Sequence, residues 1–371
     1  MICQATMMKE APVARPLRIG IVGAGMVTTR GHIPTYVRIP GVEVVAICDT
    51  NGERAQAAAA EFGIAGVYGS HTEMLVHSQL DAISVGVPNA FHAAATIAGL
   101  EAGLHVLCEK PLATSVADGE RMLAAAQQSG TILAVNMSNR PRPEFQFIRE
   151  QIAAGRLGTI HYANGRMLRR SGIPGFGSWF TRRELSGGGA LMDIGVHMLD
   201  AVLYMLGFPA ISAVRGEIQA NLGPQERGLG GWGIDRVRGG VFDVDDLAAI
   251  HLRLANGGLV TIEVTWAIHG RDEERVQIAG TTAGVDFFPD LYGREHPLRL
   301  YRYDDDTAVE VTPSLPHVEN AWAQSLVRFV AACRGEGTPI ADGADGLAVL
   351  RLLDATLRSA REGREIALTT A

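Results

Sequence analysis

The stretch Leu17-Arg-Ile-Gly-Ile-Val-Gly-Ala-Gly-Met-Val-Thr28 decides the fold. Six residues of buried-strand type run into Gly23-Ala24-Gly25, and a helix is predicted from about Val27 to Val37. The first glycine permits a tight turn, and the second lets the backbone approach a pyrophosphate. The helix N-terminus supplies free N–H groups and a positive partial charge. The third small position of such turns is Thr28 here, which predicts slightly wider helix–strand packing. Alone the turn is a weak signal. Its setting strengthens it: this is the first strand of the chain, and Asp49 lies 24 residues past Gly25 at the end of the next apolar run.

Outward from the turn, Val42–Cys48, 82–87, His105–Cys108 and 131–136 read as further strands. Helices over 53–62, 90–102 and 116–129 separate them. Such alternation implies a parallel sheet covered on both faces, with ligands bound beyond the carboxyl ends of its strands. Candidate cofactor residues are therefore Gly23, Gly25, Met26, Val27, Asp49, Val87, Pro88, Asn89, His92, Glu109, Lys110 and Asn136. A carboxylate at Asp49 can accept hydrogen bonds from adenosine ribose hydroxyls and would repel a 2′-phosphate. The expected cofactor is thus NAD rather than NADP, with Arg54 a partial offset. A competing reading makes Asp49 the N-cap of the next helix; both can hold.

After about residue 138 the pattern changes. Helices are predicted over 144–154 and 190–206, strands over Leu247–Leu254, 259–266 and 274–279, and helices again over Ala321–Cys333 and 345–361. Short links between those strands predict an antiparallel sheet. Residues 228–240 are glycine-rich around Trp232 and read as a long loop, a binding element or an interface lid. The expected division is a loose extension over 1–16, a nucleotide-binding domain over 17–138 and a second domain over 139–371.

The 371 residues carry a net charge of -7 and no basic run, which argues against nucleic acid and anionic membranes as partners. Apolar runs are broken before the ~18 residues of a membrane span. Cysteines at 3, 48, 108 and 333 have neither metal nor paired spacing, so no metal site, buried thiols and a cytoplasmic location are expected. Lysine occurs only at 9 and 110, against 31 arginines. A lone lysine within the folded body suggests a position that needs a compact ammonium, which guanidinium cannot replace.

At Glu109-Lys110-Pro111 the chain resembles the glucose–fructose oxidoreductase / inositol dehydrogenase (Gfo/Idh/MocA) family. Gly23–Gly25, Pro88-Asn89-Ala90-Phe91-His92 and Asp193-Ile194-Gly195-Val196-His197 carry the resemblance with it, as do Asp345-Gly346 and residues 359–366, over roughly 17–368. The resemblance implies an α/β protein: an N-terminal Rossmann doubly wound parallel sheet, then a C-terminal α/β domain with an open, largely antiparallel sheet. It also implies a Lys-Pro link that is often cis, and homodimers or homotetramers built on the second sheet.

The same resemblance, with the residue chemistry, makes Lys110, Asp193 and His197 the catalytic and substrate-binding candidates. Lys110 would steady alkoxide character on a reacting hydroxyl; a plain salt bridge to Glu109 is its bland alternative. Asp193 and His197, four apart, share a helix face. His197 suits a general base near neutral pH, and Asp193 could orient it or the substrate. The glycines at 187–189 would leave that helix N-terminus open to oxygen ligands. Asp200 reads as structural. Trp179 and Phe180 could wall the nicotinamide or sugar, or simply pack. Arg169-Arg170 and Arg182-Arg183 could clamp an anionic substituent, or be surface charges. Asn136, Arg140 and Arg142 could line the cleft, and His317 and Trp322 could reach it. The implied reaction is hydride transfer between nicotinamide and a secondary carbinol carbon of a sugar, polyol or glycoside. Two alternatives are an NAD-dependent glycoside hydrolase working by transient oxidation and elimination, and a non-catalytic NAD sensor. The sensor would need the three catalytic positions replaced, and they are present.

Overall fold

The computed structural model describes residues 15–231, 233, 237–288 and 298–368. The expected extension over 1–16, apart from its last two residues, and Trp232 lie outside them.

The first sheet holds β1 (Leu17–Val22), β2 (Val42–Cys48), β3 (Gly66–Tyr68), β4 (Ala82–Val85), β5 (His105–Cys108) and β6 (Leu133–Val135), in the order β3-β2-β1-β4-β5-β6. All its pairings are parallel. Val22 lies opposite Cys48 and Val85, and Cys108 opposite Val85 and Val135. The strands therefore end in line, and Gly23, Asp49, Gly86, Glu109 and Asn136 emerge along one edge. β3 and the helix His71–His77 have too little periodicity to be read from sequence.

The second sheet has nine strands: β7 (Ile160–Leu168), β8 (Ile211–Gln219), β9 (Leu247–Leu254), β10 (Leu259–Thr265), β11 (Glu273–Gly280), β12 (Ala283–Phe287), β13 (Arg299–Asp304), β14 (Thr307–Val311) and β15 (Ile366–Ala367). Their order is β14-β13-β12-β11-β7-β10-β9-β8-β15, antiparallel throughout except for β7 beside β10. The central strand β7 escapes the sequence pattern because Asn164-Gly165-Arg166 interrupts its apolar run. Gly165 is needed there: a Cβ would come within 2.7 Å of the Met198 sulfur on the helix Val196–Leu206 that packs across the sheet. By length and composition Arg183–Leu206 could cross a membrane, but 94% of its most apolar window is buried inside the fold.

The boundary at 138/139 separates the two sheets in sequence but not wholly in space. Leu326, Phe329 and Val330 of the helix Ala321–Cys333, expected with the second domain, pack in one cluster with Ile19, Ile21, Ile33 and Ile47 of the first. The late chain thus returns to cover the nucleotide-binding sheet.

Candidate active site

The glycine turn is fixed from both sides. Gly23 has φ +96°, and a Cβ there would meet the Gly86 carbonyl oxygen at 2.6 Å. Thr28 packs against a glycine on the neighbouring strand end. Gly86, just past β4, has no Cβ; one would sit 2.5 Å from Thr28 Cγ2. The Thr28 hydroxyl donates back into the turn, to the Gly23 and Gly25 carbonyls at 2.7 and 2.9 Å. The predicted helix after the turn is broken into a π-turn, Thr28–His32, followed by Ile33–Tyr36.

Asp49 closes the turn. Its carboxylate accepts the Ala24 N–H and the Asn51 N–H, each at 2.8 Å. The N-cap of the following helix is Asn51, whose side chain accepts the Arg54 N–H at 3.0 Å. The capping alternative for Asp49 is therefore not realised.

Two cavities lie along the strand ends. One, of about 1060 Å³, is lined by Gly23, Asp49, Arg54, His71 and Phe91 among others. The second, of about 770 Å³, is lined by Met26, Val27, Asn89, Glu109, Lys110, Trp179 and Asp193 among others. Gly25, Gly86, Val87 and Pro88 wall both, so they form one trough. A Cβ on Gly25 would meet only the Gly86 oxygen, at 3.8 Å, and would otherwise fill the trough. An extended dinucleotide fits this shape: a carboxylate at one end for ribose, a glycine cradle in the middle, and a cation–carboxylate pair at the other end.

That pair joins the two sheets. Lys110, next to a cis Lys110–Pro111 bond, donates from Nζ to the Asp193 carbonyl oxygen at 2.8 Å and to Asp193 Oδ1 at 3.0 Å. The Glu109 alternative is not adopted. The other Asp193 oxygen accepts the Trp266 indole N–H at 2.8 Å, and Trp266 is fully buried. Burial alone would raise the Asp193 carboxyl, but Lys110, Arg169 and the two hydrogen bonds hold it below the ordinary range. Asp193 thus fixes Lys110 rather than bonding His197, and its helix begins with the π-turn Leu191–Gly195.

His197 stands one turn further on. Burial first, and the positive charge of Lys110 next, push its imidazole down to about 3, against a smaller upward pull from Asp193. Its ring is therefore neutral across the whole neutral range, rather than poised near 6.5 as an unperturbed histidine would be. Arg169 feels the same centre. Its Nε is buried without a hydrogen-bond partner among the described residues, and its Nη2 meets only the Met167 sulfur at 3.8 Å. Neither His197 nor Arg169 lines the 770 Å³ cavity; both are coupled to it through Lys110 and Asp193.

The helix N-terminus at the triple glycine is not open, contrary to expectation. The Asp245 carboxylate accepts the Gly189 and Leu191 N–H groups, each at 2.8 Å, and its carbonyl accepts the Ala190 N–H at 2.9 Å. A Cβ on Gly189 would lie 1.8 Å from that carbonyl oxygen. Gly189→Ala is expected to lower stability by about 3 kcal/mol or more, since backbone cannot yield as a side chain would. Thermal melting of the purified variant checks this, and an unchanged Tm would contradict the placement.

Other expected site residues hold the cleft in shape, Asn136 from behind it and His92, Asn89 and Trp179 from its wall. Asn136 is buried, donating to Glu109 Oε1 at 2.6 Å and accepting from Ser325 at 2.5 Å, so both ends of its amide are engaged. His92 spans the Pro111 and Val87 carbonyls, 2.8 and 3.0 Å from its two ring nitrogens, and ties the two loops together. Asn89 lines the cavity and donates to the Ser186 carbonyl at 2.8 Å, a second tie between the domains. Trp179 also lines it, stacked on Phe180 at 3.8 Å between centroids.

Arg140 is buried in ion pairs with Asp200 and Asp345, both at 2.6 Å, away from the cleft. Arg142 lies over Phe145 and Phe287. Arg182 pairs with Glu184, and Arg183 donates to Asp243. The Arg170 N–H donates to Asp272. His317 is exposed, and Trp322 packs behind the cleft against His32.

Sequence reasoning missed Trp266, Asp245 and His32. Only Asp245 left a signal: an acidic pair, Asp245-Asp246, directly before an apolar strand.

Residues 17–137 match the profile of an oxidoreductase family with an NAD-binding Rossmann fold, and residues 145–286 the GFO/IDH/MocA C-terminal domain. The chain is 34% identical to D-glucoside 3-dehydrogenase of Escherichia coli strain K12, over 97% of this chain and all of that one. It is 29% identical to 1,5-anhydro-D-fructose reductase of Ensifer adhaerens, over 95% and 99%. The WlbA dehydrogenase of Bordetella pertussis, solved with NADH and UDP-GlcNAcA, superposes with a TM-score of 0.77 at 26% identity. That match covers 96% of this chain and all of the other.

Proposed function

Because the chain belongs to the GFO/IDH/MocA oxidoreductase family, we propose that its trough binds NAD and a sugar, and that Lys110, His197 and Asp193 serve oxidation of a secondary ring hydroxyl. The observation that carries this reading is the Lys110–Asp193 contact at the end of the glycine-cradled trough. A glucoside is the first substrate class to test, given the relative that oxidises one.

Bound NAD supplies the acceptor, and NADH the donor, of the hydride exchanged with the carbinol carbon. An ammonium has three N–H donors. Lys110 uses two on Asp193 and keeps the third for the reacting oxygen. His197, neutral but outside the cavity wall of the sugar-free protein, is the group we assign to receive the hydroxyl proton once sugar is bound. Asp193, itself held by Trp266, keeps the ammonium in place. Arg169 stands outside the cavity wall, and its Nε has no acceptor among the described residues; we assign that free donor to a substrate oxygen. Trp179 offers an aromatic face to the ring at the same end.

Purified protein with NAD and methyl β-D-glucoside, within a panel of inositols, aldoses and uronates, tests the reading. The expected result is NADH formed in proportion to ketosugar. Glycosidic cleavage without net NADH would instead make the protein a redox-assisted hydrolase.

Asp49→Ser is expected to erode the preference for NAD over NADP by about 10²–10³. Two unit charges ~4 Å apart at an effective dielectric near 20 repel by about 4 kcal/mol, and ~1.4 kcal/mol is tenfold. The check is the ratio of kcat/KM for the two cofactors; an unchanged ratio would place discrimination elsewhere.

The same reading places the protein in the cytoplasm as a homodimer or homotetramer, built on the polar face of the second sheet that carries the Arg166–Glu263 pair. Light scattering after size exclusion reads the assembly directly.

A further inference from the structure

Lys110 has two carboxylates to choose from: Glu109, its neighbour in the chain, and Asp193, 83 residues away. The side chain of Glu109 is committed elsewhere. Its Oε1 accepts from His32 Nε2 at 2.9 Å and from Asn136 Nδ2 at 2.6 Å, and among the described residues its Oε2 accepts only the Lys110 backbone N–H, at 3.2 Å. His32 is itself anchored. Its Nδ1 lies 2.7 Å from Ser84 Oγ, which in turn accepts the Tyr36 hydroxyl at 3.2 Å. A carboxylate only accepts, so Nε2 carries the ring proton, and the Ser84 hydrogen is free to point at Nδ1. Trp322 roofs the imidazole at 5.6 Å between centroids, in space left open by Gly31, where a Cβ would clash with its ring at 2.3 Å. Asn136 is braced by Ser325 from the same returning helix.

We propose that His32 and Asn136 are positioning residues that restrain the Glu109 carboxylate and so leave the Lys110 ammonium to Asp193 and the substrate. Released, Glu109 is the nearest carboxylate in sequence to an ammonium with one uncommitted donor, and its charge already acts within electrostatic reach of Lys110. Capture would withdraw that donor from the reacting oxygen without altering the glycine cradle. This rests on Lys110 being the catalytic cation. One readout is therefore taken without NAD or sugar, so that failure of the substrate reading is distinguishable from failure of this one.

The chain's two lysines make that readout clean. In a Lys9→Arg background, acylation of Lys110 by an amine-reactive ester is followed at fixed pH by mass spectrometry of its peptide. His32→Ala is expected to slow labelling several-fold and to lower kcat roughly 10–100-fold, with the KM for NAD little changed. Adding Glu109→Gln is expected to recover most of the labelling rate and part of kcat, because a neutral amide does not capture an ammonium. A role in packing alone predicts the opposite, a double variant no better than the single one, and that result overturns the proposal, as does unslowed labelling in His32→Ala. Should His32→Ala not fold, Asn136→Ala with and without Glu109→Gln carries the same comparison. Labelling that follows this pattern while no sugar is oxidised would uphold the restraint and refute the substrate assignment.

Discussion

Lys110→Arg is expected to lower kcat by about 10²–10³ while NAD still binds, although the charge is kept. The Lys110 nitrogen makes two bonds to one residue, at 2.8 Å to the Asp193 carbonyl and 3.0 Å to its carboxylate, and one hydrogen remains for the cavity. A guanidinium is planar and longer, and its donors form a fixed fork, so no single nitrogen can reproduce those directions. Its bulk would also enter the trough beside Glu109 and Trp179. Loss of one preorganised donor to a developing oxyanion costs about 10²–10³ in turnover. Steady-state kinetics with NAD, together with cofactor affinity from fluorescence, check this. A fully active Lys110→Arg would show that positive charge alone suffices, and the reading of this lone body lysine as a chemical requirement would fall.

His197→Ala is expected to cost about 10² in kcat, the low end of the worth of a positioned general base, because an imidazole with lowered proton affinity is a weaker acceptor. The pH dependence gives a second and sharper expectation. Burial and the nearby ammonium hold the imidazole at about 3 in the folded protein. A lowered pKa on a base means that the neutral, proton-accepting form persists as the pH falls, and is lost only near the depressed value. The acid limb of kcat/KM assigned to His197 should therefore be absent between pH 5 and 8. A limb near 6.5 that vanishes in His197→Ala would show an imidazole in ordinary surroundings. Equal profiles and equal rates in the two proteins would remove His197 from the chemistry altogether.

The parts of this site legible in sequence are those where a local motif fixes backbone geometry. The glycine turn, the strand-end acid at Asp49, and Glu109-Lys110-Pro111 each lie within a few residues of a strong apolar strand. Their position at the sheet's ligand edge follows from strand alternation. The spacing of Asp193 and His197 also placed them one helical turn apart. Less legible were elements whose role depends on what packs over them. The strand β7, broken by a polar triplet, is the middle of the second sheet, and the triple glycine that looked like an open anion site is capped by Asp245 from a distant strand end.

By itself the sequence determined the parallel sheet, the cradle at its edge and the residue types available for the chemistry, because strand periodicity and turn geometry are local properties of the chain. Tertiary structure alone decided partnership: Asp193 rather than Glu109 for the ammonium, Trp266 behind Asp193, His32 behind Glu109, and Arg140 with Asp200 instead of the cleft. Several carboxylates and cations compete at similar strengths in one chain. Which pairs form is settled by distance and burial, and both come from contacts between residues 60 to 83 positions apart, beyond the reach of any local pattern.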